Sequence, residues 1–348
     1  MSMKEGWVYI LRERDFLTGK TDRYVKIGLT ENEVELRNKQ HQTGNPRLIY
    51  SVHEQHVPLM NAMEKHLHHV YSTDRIHGEW FDLDDARVNN EVIPMIERLA
   101  VEQAETKAHM ETVADLKKAY DNGTERKPNA AETALHTAYL EAKHAFELAK
   151  AQHAIHDSTI RAMIGTAGGI EGVVEIKPKP QGPLFNKKAF LALLSEAEQA
   201  TCHKTVTEFK ASLSITGTKA LKTLDAALAS EKKSASNAIT NPPNTSNPGQ
   251  PMAIRNPTAE QAHADYLASR RTVKEEEWRE VRAKNALLVA LGQDRSIEGI
   301  VEWVRQDVTT EDKWSAALAK ELFPQKYEQA ILDRDDTVDV LIEEGHPY

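Results

Sequence analysis

The sequence predicts an α+β protein: a small antiparallel β-sheet flanked by helices, then a mostly α-helical region holding a duplicated helix–hairpin–helix module. Three observations predict this class. Strand-forming runs alternate with helix-period segments only over the first eighty-odd residues; Ala-, Glu- and Lys-rich stretches dominate after them; and the chain aligns with itself at an offset of 127 residues.

The first unit reads element by element. Trp7 to Leu11 and Tyr24 to Gly28 are β-rich runs separated by the turn-prone Thr18 to Asp22. Glu31 to His41 fits a short helix capped by Thr30 or Asn32, and Gly44-Asn45-Pro46 ends it. Leu48 to Val52 is a third strand. Pro58 opens a second helix, with Met60, Met63, Leu67 and Val70 spaced by three and four. Gly78 to Leu83 closes the unit with a short strand, so the order is ββαβαβ.

Beyond Val88 the 127-residue offset aligns residues 129–176 with 256–303 without gaps, with identities clustered in an Ile-Glu-Gly-x-Val-Glu run after a glycine. Each copy reads as a long helix, a glycine stop, a short strand or hairpin, and another helix (Lys187 to Ala200, and Trp314 to Leu322). Ser234 to Pro257 holds five prolines among Asn, Ser and Thr and reads as a flexible linker. The expected division is 1–87, a compact sheet-and-helix domain; 88–128, connecting helices; 129–233, first helical module; 234–257, linker; and 258–348, second module with an acidic tail.

Composition sets limits. Apolar residues are 40% and charged residues 28% of the chain, which excludes wholesale disorder. The single cysteine, Cys202, excludes an internal disulfide and a Cys-based zinc cluster. Apolar runs such as Leu287 to Leu291 are too short to span a bilayer, and Met1 to Asp15 has no signal-peptide apolar block, so no membrane contact and a cytoplasmic location are expected. The net charge is −9, and residues 258–348 carry 12 Lys/Arg against 20 Asp/Glu. Contact with nucleic acid is therefore expected through basic patches in the first two thirds, while the acidic end could meet a protein partner.

One constellation carries chemistry. Paired strands can hold Tyr9 and Lys26 side by side on one face. Arg37 and His41 share one face of the next helix, as do Glu64 and His68 of the following one. Glu64 offers a single hard oxygen ligand of the kind Mg²⁺ accepts. Seven of the fifteen histidines lie between positions 41 and 77, but Glu64 to His69 lacks a zinc-hydrolase spacing. Seen singly, Tyr9 could be a strand aromatic, Lys26 a solvated residue, and Arg37 and Glu64 surface charges; Trp80 and Phe81 read as core.

Taken in order, Val8-Tyr9-Ile10, Lys26-Ile27-Gly28, Arg37 with His41, Glu64 with His68, and Gly78-Glu79-Trp80-Phe81 resemble the GIY-YIG nuclease superfamily. The similarity is to its phage-associated branch, with a Lys-Ile-Gly second motif and a closing Gly-Glu-Trp-Phe, and covers residues 6–83. The resemblance implies a Mg²⁺- (or Mn²⁺-) dependent DNA endonuclease of phage or mobile-element origin, acting in a bacterial host cytoplasm through one metal. Tyr9 would act as, or relay to, the general base, Arg37 would stabilise the phosphorane, and Glu64 would hold the metal. Lys26 stands where many relatives carry a tyrosine, and the family's late asparagine has no counterpart here. Lys26, His41, His68 and Glu79 complete the expected site; Lys39, Arg47, Lys177, Lys179, Lys187 and Lys188 are the expected DNA contacts. Glu175-x-Lys177 with Asp157 looks superficially like another nuclease centre, but the second copy replaces the lysine with Val304. Two other functions fit the sequence: a non-catalytic nucleic-acid-binding protein of the same fold, and a host-interaction or scaffold protein acting through acidic helices.

Overall fold

The computed structural model describes residues 3–43, 45–218, 226–240, 249–343 and 345. Gly44, Pro242, Pro243, Pro248 and Glu344 lie outside the described residues. From the N-terminus come β1 (Gly6–Arg14), β2 (Thr21–Thr30), α1 (Val34–Gln42), β3 (Leu48–Val57), α2 (Met60–Val70), β4 (Arg75–His77), β5 (Trp80–Asp82), the single turn α3 (Asp85–Arg87) and α4 (Ile93–Leu116). The strands form one antiparallel sheet in the order β3-β1-β2-β5-β4.

Burial of β1 on both sides explains its unbroken apolar run. Val8 and Ile10 join Val25 and Ile27 against Met60, Met63 and Leu67 of α2 and Ile96 and Leu99 of α4. Tyr9 and Leu11 face the other way, packing with Val34 of α1 and Ile49 of β3. Arg12, 2% exposed, donates to the carbonyls of Asp22 and Leu83 and pairs with Asp85, tying the end of the sheet to the exit of the unit.

Several local readings shift. Helix α1 begins at Val34, not Glu31, and its N-cap Glu33 has no side-chain cap; Thr30 Oγ1 instead accepts from the Asn32 N–H in the turn before it. The closing strand is the second arm of a hairpin, turned at Gly78 (φ 57°), whose first arm β4 is too short and polar to show a pattern.

The second part holds β6 (Glu125–Arg126), α5 (Ala130–Met163), β7 (Gly169–Ile170), β8 (Val174–Lys179), β9 (Leu184–Phe185), α6 (Lys187–Ala192), α7 (Glu196–Thr201), β10 (His203–Ile215), α8 (Ala226–Thr240), α9 (Pro257–Leu291), β11 (Ser296–Ile297), β12 (Val301–Trp314), α10 (Ala316–Leu322), α11 (Pro324–Gln329), β13 (Ile331–Leu332) and β14 (Thr337–Ile342). Helices α5 and α9 lie antiparallel: Lys143 meets Glu280 at one level and His153 meets Ser269 at another.

Hydrogen bonds recur at the 127-residue offset. Asn129 and Asn256 both cap their helices. His136 Nε2 lies 2.9 Å from the Thr216 carbonyl oxygen, and His263 Nε2 lies 2.7 Å from that of Glu343. The Thr216 N–H donates to Ile300 and the Glu343 N–H to Val173. Strand exchange follows: β10 pairs with β12 across the two halves, and β14 pairs back with β8.

Two expectations need correction here, and one unassigned stretch takes on structure. The helix read over Lys187 to Ala200 is two short helices, interrupted where Ser195 caps α7. Residues 203–215, unassigned from sequence, form a long strand that exists because β12 pairs with it. The stretch read as a linker is partly ordered: residues 234–240 continue the Ala- and Lys-rich helix α8, and Ala253 bridges Ile170 before Pro257 opens α9.

The helical part is packed on the sheet unit. Trp278 Nε1 donates to Glu102 of α4 at 3.4 Å, and Arg282 reaches the same carboxylate oxygen at 2.8 Å. Among the described residues, no helix is long and apolar enough to cross a membrane.

Candidate active site

Register sets the first part of the site. Tyr9 pairs with Gly28 and Leu11 with Lys26, so Tyr9 and Lys26 project from the face that carries α1. The Tyr9 ring lies across Gly28: a Cβ at that glycine would come within 2.6 Å of the phenolic oxygen. Helix α1 is almost wholly polar and buries only Val34. Its position is fixed from its end, where the Gln42 amide donates to the carbonyls of Asn45 and Arg47 and accepts from the Ile49 N–H. That placement brings His41 Nε2 to 3.4 Å from the Tyr9 hydroxyl. Arg37, one turn earlier, has a buried Nε without a hydrogen-bond partner among the described residues.

Lys26 is nearly buried, and its ammonium lies 2.6 Å from a Glu79 carboxylate oxygen. The Glu79 carbonyl accepts from the Ile27 N–H, so backbone and side chain both anchor the turn before β5 against β2. On α2, His68 Nε2 lies 2.8 Å from the Ile27 carbonyl oxygen and fixes that helix to the same strand. Glu64, one turn before His68, is half-buried and makes no hydrogen bond or ion pair among the described residues.

Electrostatics links these groups. Burial, then the Glu79 carboxylate, pushes Glu64 up to about 7, against the opposing pull of Lys26, Lys65 and Arg75. Burial also acts to raise Glu79, but the Lys26 ammonium outweighs it and holds that carboxyl below its usual range. Burial, Lys26 and Arg37 lower His41, which is therefore neutral at pH 7. Burial raises the Tyr9 phenol, Arg37 draws it back, and Glu79 and Glu64 raise it further. The phenol thus senses both carboxylates.

A cleft of about 400 Å³ opens at this centre, lined by Glu64, Lys65, His68, His69, Ser72, Arg75, Glu79, Arg270 and Lys274. Of the residues expected from sequence, Glu64, His68 and Glu79 line it; Tyr9, Arg37 and His41 form a second cluster on the α1 face; and the Lys26–Glu79 pair joins the two. Arg75, Arg270 and Lys274 were missed. The Arg270-Arg271-x-x-Lys274 run was the available signal, hidden by the acidic balance of the last third.

The expected DNA contacts are placed elsewhere. Lys39 pairs with Glu35 at 2.8 Å, and Arg47 lies between Glu13 and Asp22. Lys177 pairs with Glu175, Lys179 with Asp339, and Lys187 stacks over Trp314. Lys188 is exposed on α6. None of these six lines the cleft. Asp157 pairs with Arg161 within α5.

As for a metal, no group of three or more His, Cys, Asp or Glu able to hold one occurs among the described residues. A multi-ligand zinc cage is not what this donor set offers. Glu64, a half-buried carboxylate without a pair among the described residues, is the group at the cleft that could hold a hard cation such as Mg²⁺, which keeps most of its waters and takes one or two protein carboxylates.

No curated protein and no solved structure matches the chain. Residues 6–100, which extend past the motif-bearing 6–83 into α4, match the T5orf172 domain, a phage-associated domain of the GIY-YIG-like, nuclease-related family.

Proposed function

We propose that the N-terminal unit is a GIY-YIG-type endonuclease that hydrolyses DNA phosphodiester bonds with one divalent cation, Mg²⁺ or Mn²⁺, held at Glu64. The observation that carries this reading is the unpaired, half-buried Glu64 carboxyl, raised to about 7 and opening onto a cleft rimmed by Lys65, Arg75, Arg270 and Lys274. A cation bound there would neutralise phosphate charge and assist the departing 3′ oxygen.

The chain's own groups supply the rest. Neutral His41 accepts the phenolic proton of Tyr9, which lets Tyr9 take a proton from the attacking water. Arg37, with an Nε left unpartnered, faces the charge that develops on the phosphoryl oxygens. Lys26, paired to Glu79, orients the water or a phosphate oxygen where relatives use a tyrosine. His68 holds α2, and with it Glu64, against β2. The two halves related by 127 residues are read as a duplicated module that positions substrate, supported by their matching caps and histidine bonds.

A supercoiled-plasmid nicking assay tests this. Wild type is expected to relax plasmid with Mg²⁺ and not with EDTA, and Glu64→Gln to lose at least about 100-fold in rate. Undiminished nicking by that variant would overturn the assignment. A salt-sensitive mobility shift without any cutting would leave a binding protein of the same fold.

A further inference from the structure

Helix α9 belongs to the second helical half, yet it forms one wall of the cleft. Arg270 and Lys274, one turn and about 6 Å apart along its axis, face Glu64, Lys65 and Arg75 across the opening. Its placement is over-determined farther along the same helix, where Trp278 is buried and, with Arg282, grips Glu102 of α4. Lys65 and Lys274 also border a neighbouring cavity of about 530 Å³ between α2, α4 and α9, which Glu277 lines with them.

We infer that Arg270 and Lys274 bind the phosphates of the DNA strand flanking the scissile bond, so that the second helical half completes the nucleic-acid site instead of acting as a detached module. The chemistry fits the rest of the lining. The two carboxylates at the cleft, Glu64 and Glu79, sit beside His68, and a bare polyanion would be repelled from them without cations opposite. Lys274 pairs with Glu277 at 2.8 Å within its own helix, and such a half-exposed pair exchanges readily for a phosphate. Arg270 adds a planar fork able to hold two phosphate oxygens at once. The last third of the chain is acidic in sum, so these two cations are a local exception, set where the polyanion would pass.

The inference rests on the proposed function only in taking the ligand to be DNA, and binding without metal separates the two. The full chain is titrated with a 20-base-pair duplex in EDTA over a series of KCl concentrations. Arg270→Gln/Lys274→Gln is expected to reduce the slope of log K against log salt by about 2, since each phosphate left without its cation removes about 0.9. The charge-conserving Arg270→Lys/Lys274→Arg is expected to keep the wild-type slope, as is Arg279→Gln/Lys320→Gln, which removes the same net charge outside the cleft. A wild-type slope in the first variant, an equal loss in the distant one, or no duplex binding by wild type overturns the inference. A reduced slope in a protein that never nicks plasmid upholds it while removing the nuclease reading. Nicking with an unchanged slope does the reverse.

Discussion

The Lys26 ammonium sits 2.6 Å from the Glu79 carboxylate, and that pair is the hinge between the Tyr9 cluster and the Glu64 cleft. Glu79 raises Glu64, whereas Lys26 lowers it. Glu79→Gln removes the repulsion and frees Lys26 to act on Glu64 alone. The Glu64 carboxyl is then expected to titrate at lower pH, by a unit or so, read by carbon-detected NMR of the side-chain carboxyl. An unchanged midpoint would mean the two carboxylates do not share a field.

Glu64 also links folding to pH. Its folded-state value, about 7, lies above the ordinary 4.5, so the folded chain binds this proton more tightly than the unfolded chain. The resulting stability is full below pH 4.5 and is lost as pH rises through 7. Glu64→Gln, which cannot ionise, is expected to be more stable than wild type at pH 8 by about 1–3 kcal/mol and nearly equal to it at pH 4. Urea titrations at the two pH values check this. Millimolar Mg²⁺ should raise the wild-type Tm and leave that of Glu64→Gln unmoved.

Tyr9 and His41 are expected to act as one unit. If the phenolic proton passes to His41, Tyr9→Phe and His41→Ala each slow nicking by about 100-fold or more, and the double variant is little worse than either single one. Multiplying losses would show two separate roles.

Gly28 is where the backbone yields to the Tyr9 ring. Gly28→Ala would set a methyl 2.6–2.8 Å from the end of that fully buried side chain. The ring must shift, with an expected cost of about 1–3 kcal/mol in a denaturant titration and a loss of nicking larger than the stability change explains.

The strand cores and the ordered motifs were legible because they are local. Val8 to Leu11 announces a strand covered on both faces, and the Met60, Met63, Leu67, Val70 spacing announces the buried face of α2. What the sequence could not disclose is whatever depends on partners distant in the chain. Residues 203–215 alternate Phe209, Ala211, Leu213 and Ile215 with polar residues, but nothing local names their partner, residues 301–314 of the other half. Arg270 and Lys274 look like solvated helix charges until α9 is seen docked through Trp278 and Arg282 onto Glu102. Lys177 and Lys179, expected from sequence to contact DNA, lie outside the cleft, in exposed pairs with Glu175 and Asp339.

The histidines at the 127-residue offset should differ in weight. His263 is 3% exposed and bonded to the Glu343 carbonyl, whereas His136 makes its equivalent bond to Thr216 nearer solvent. His263→Ala is expected to cost about 1–3 kcal/mol and His136→Ala no more than about 1 kcal/mol, by thermal unfolding. Equal losses would contradict that difference in burial.

The reciprocal lending of β10 and β14 makes the two halves hostages to each other. A protease cut between Thr240 and Gly249 would yield fragments that each lack the strand needed to finish their own sheet, and each holds the piece the other wants. Such fragments should cling together after cleavage, separate only on denaturation, and on mixing reassemble with a melting temperature that climbs with concentration.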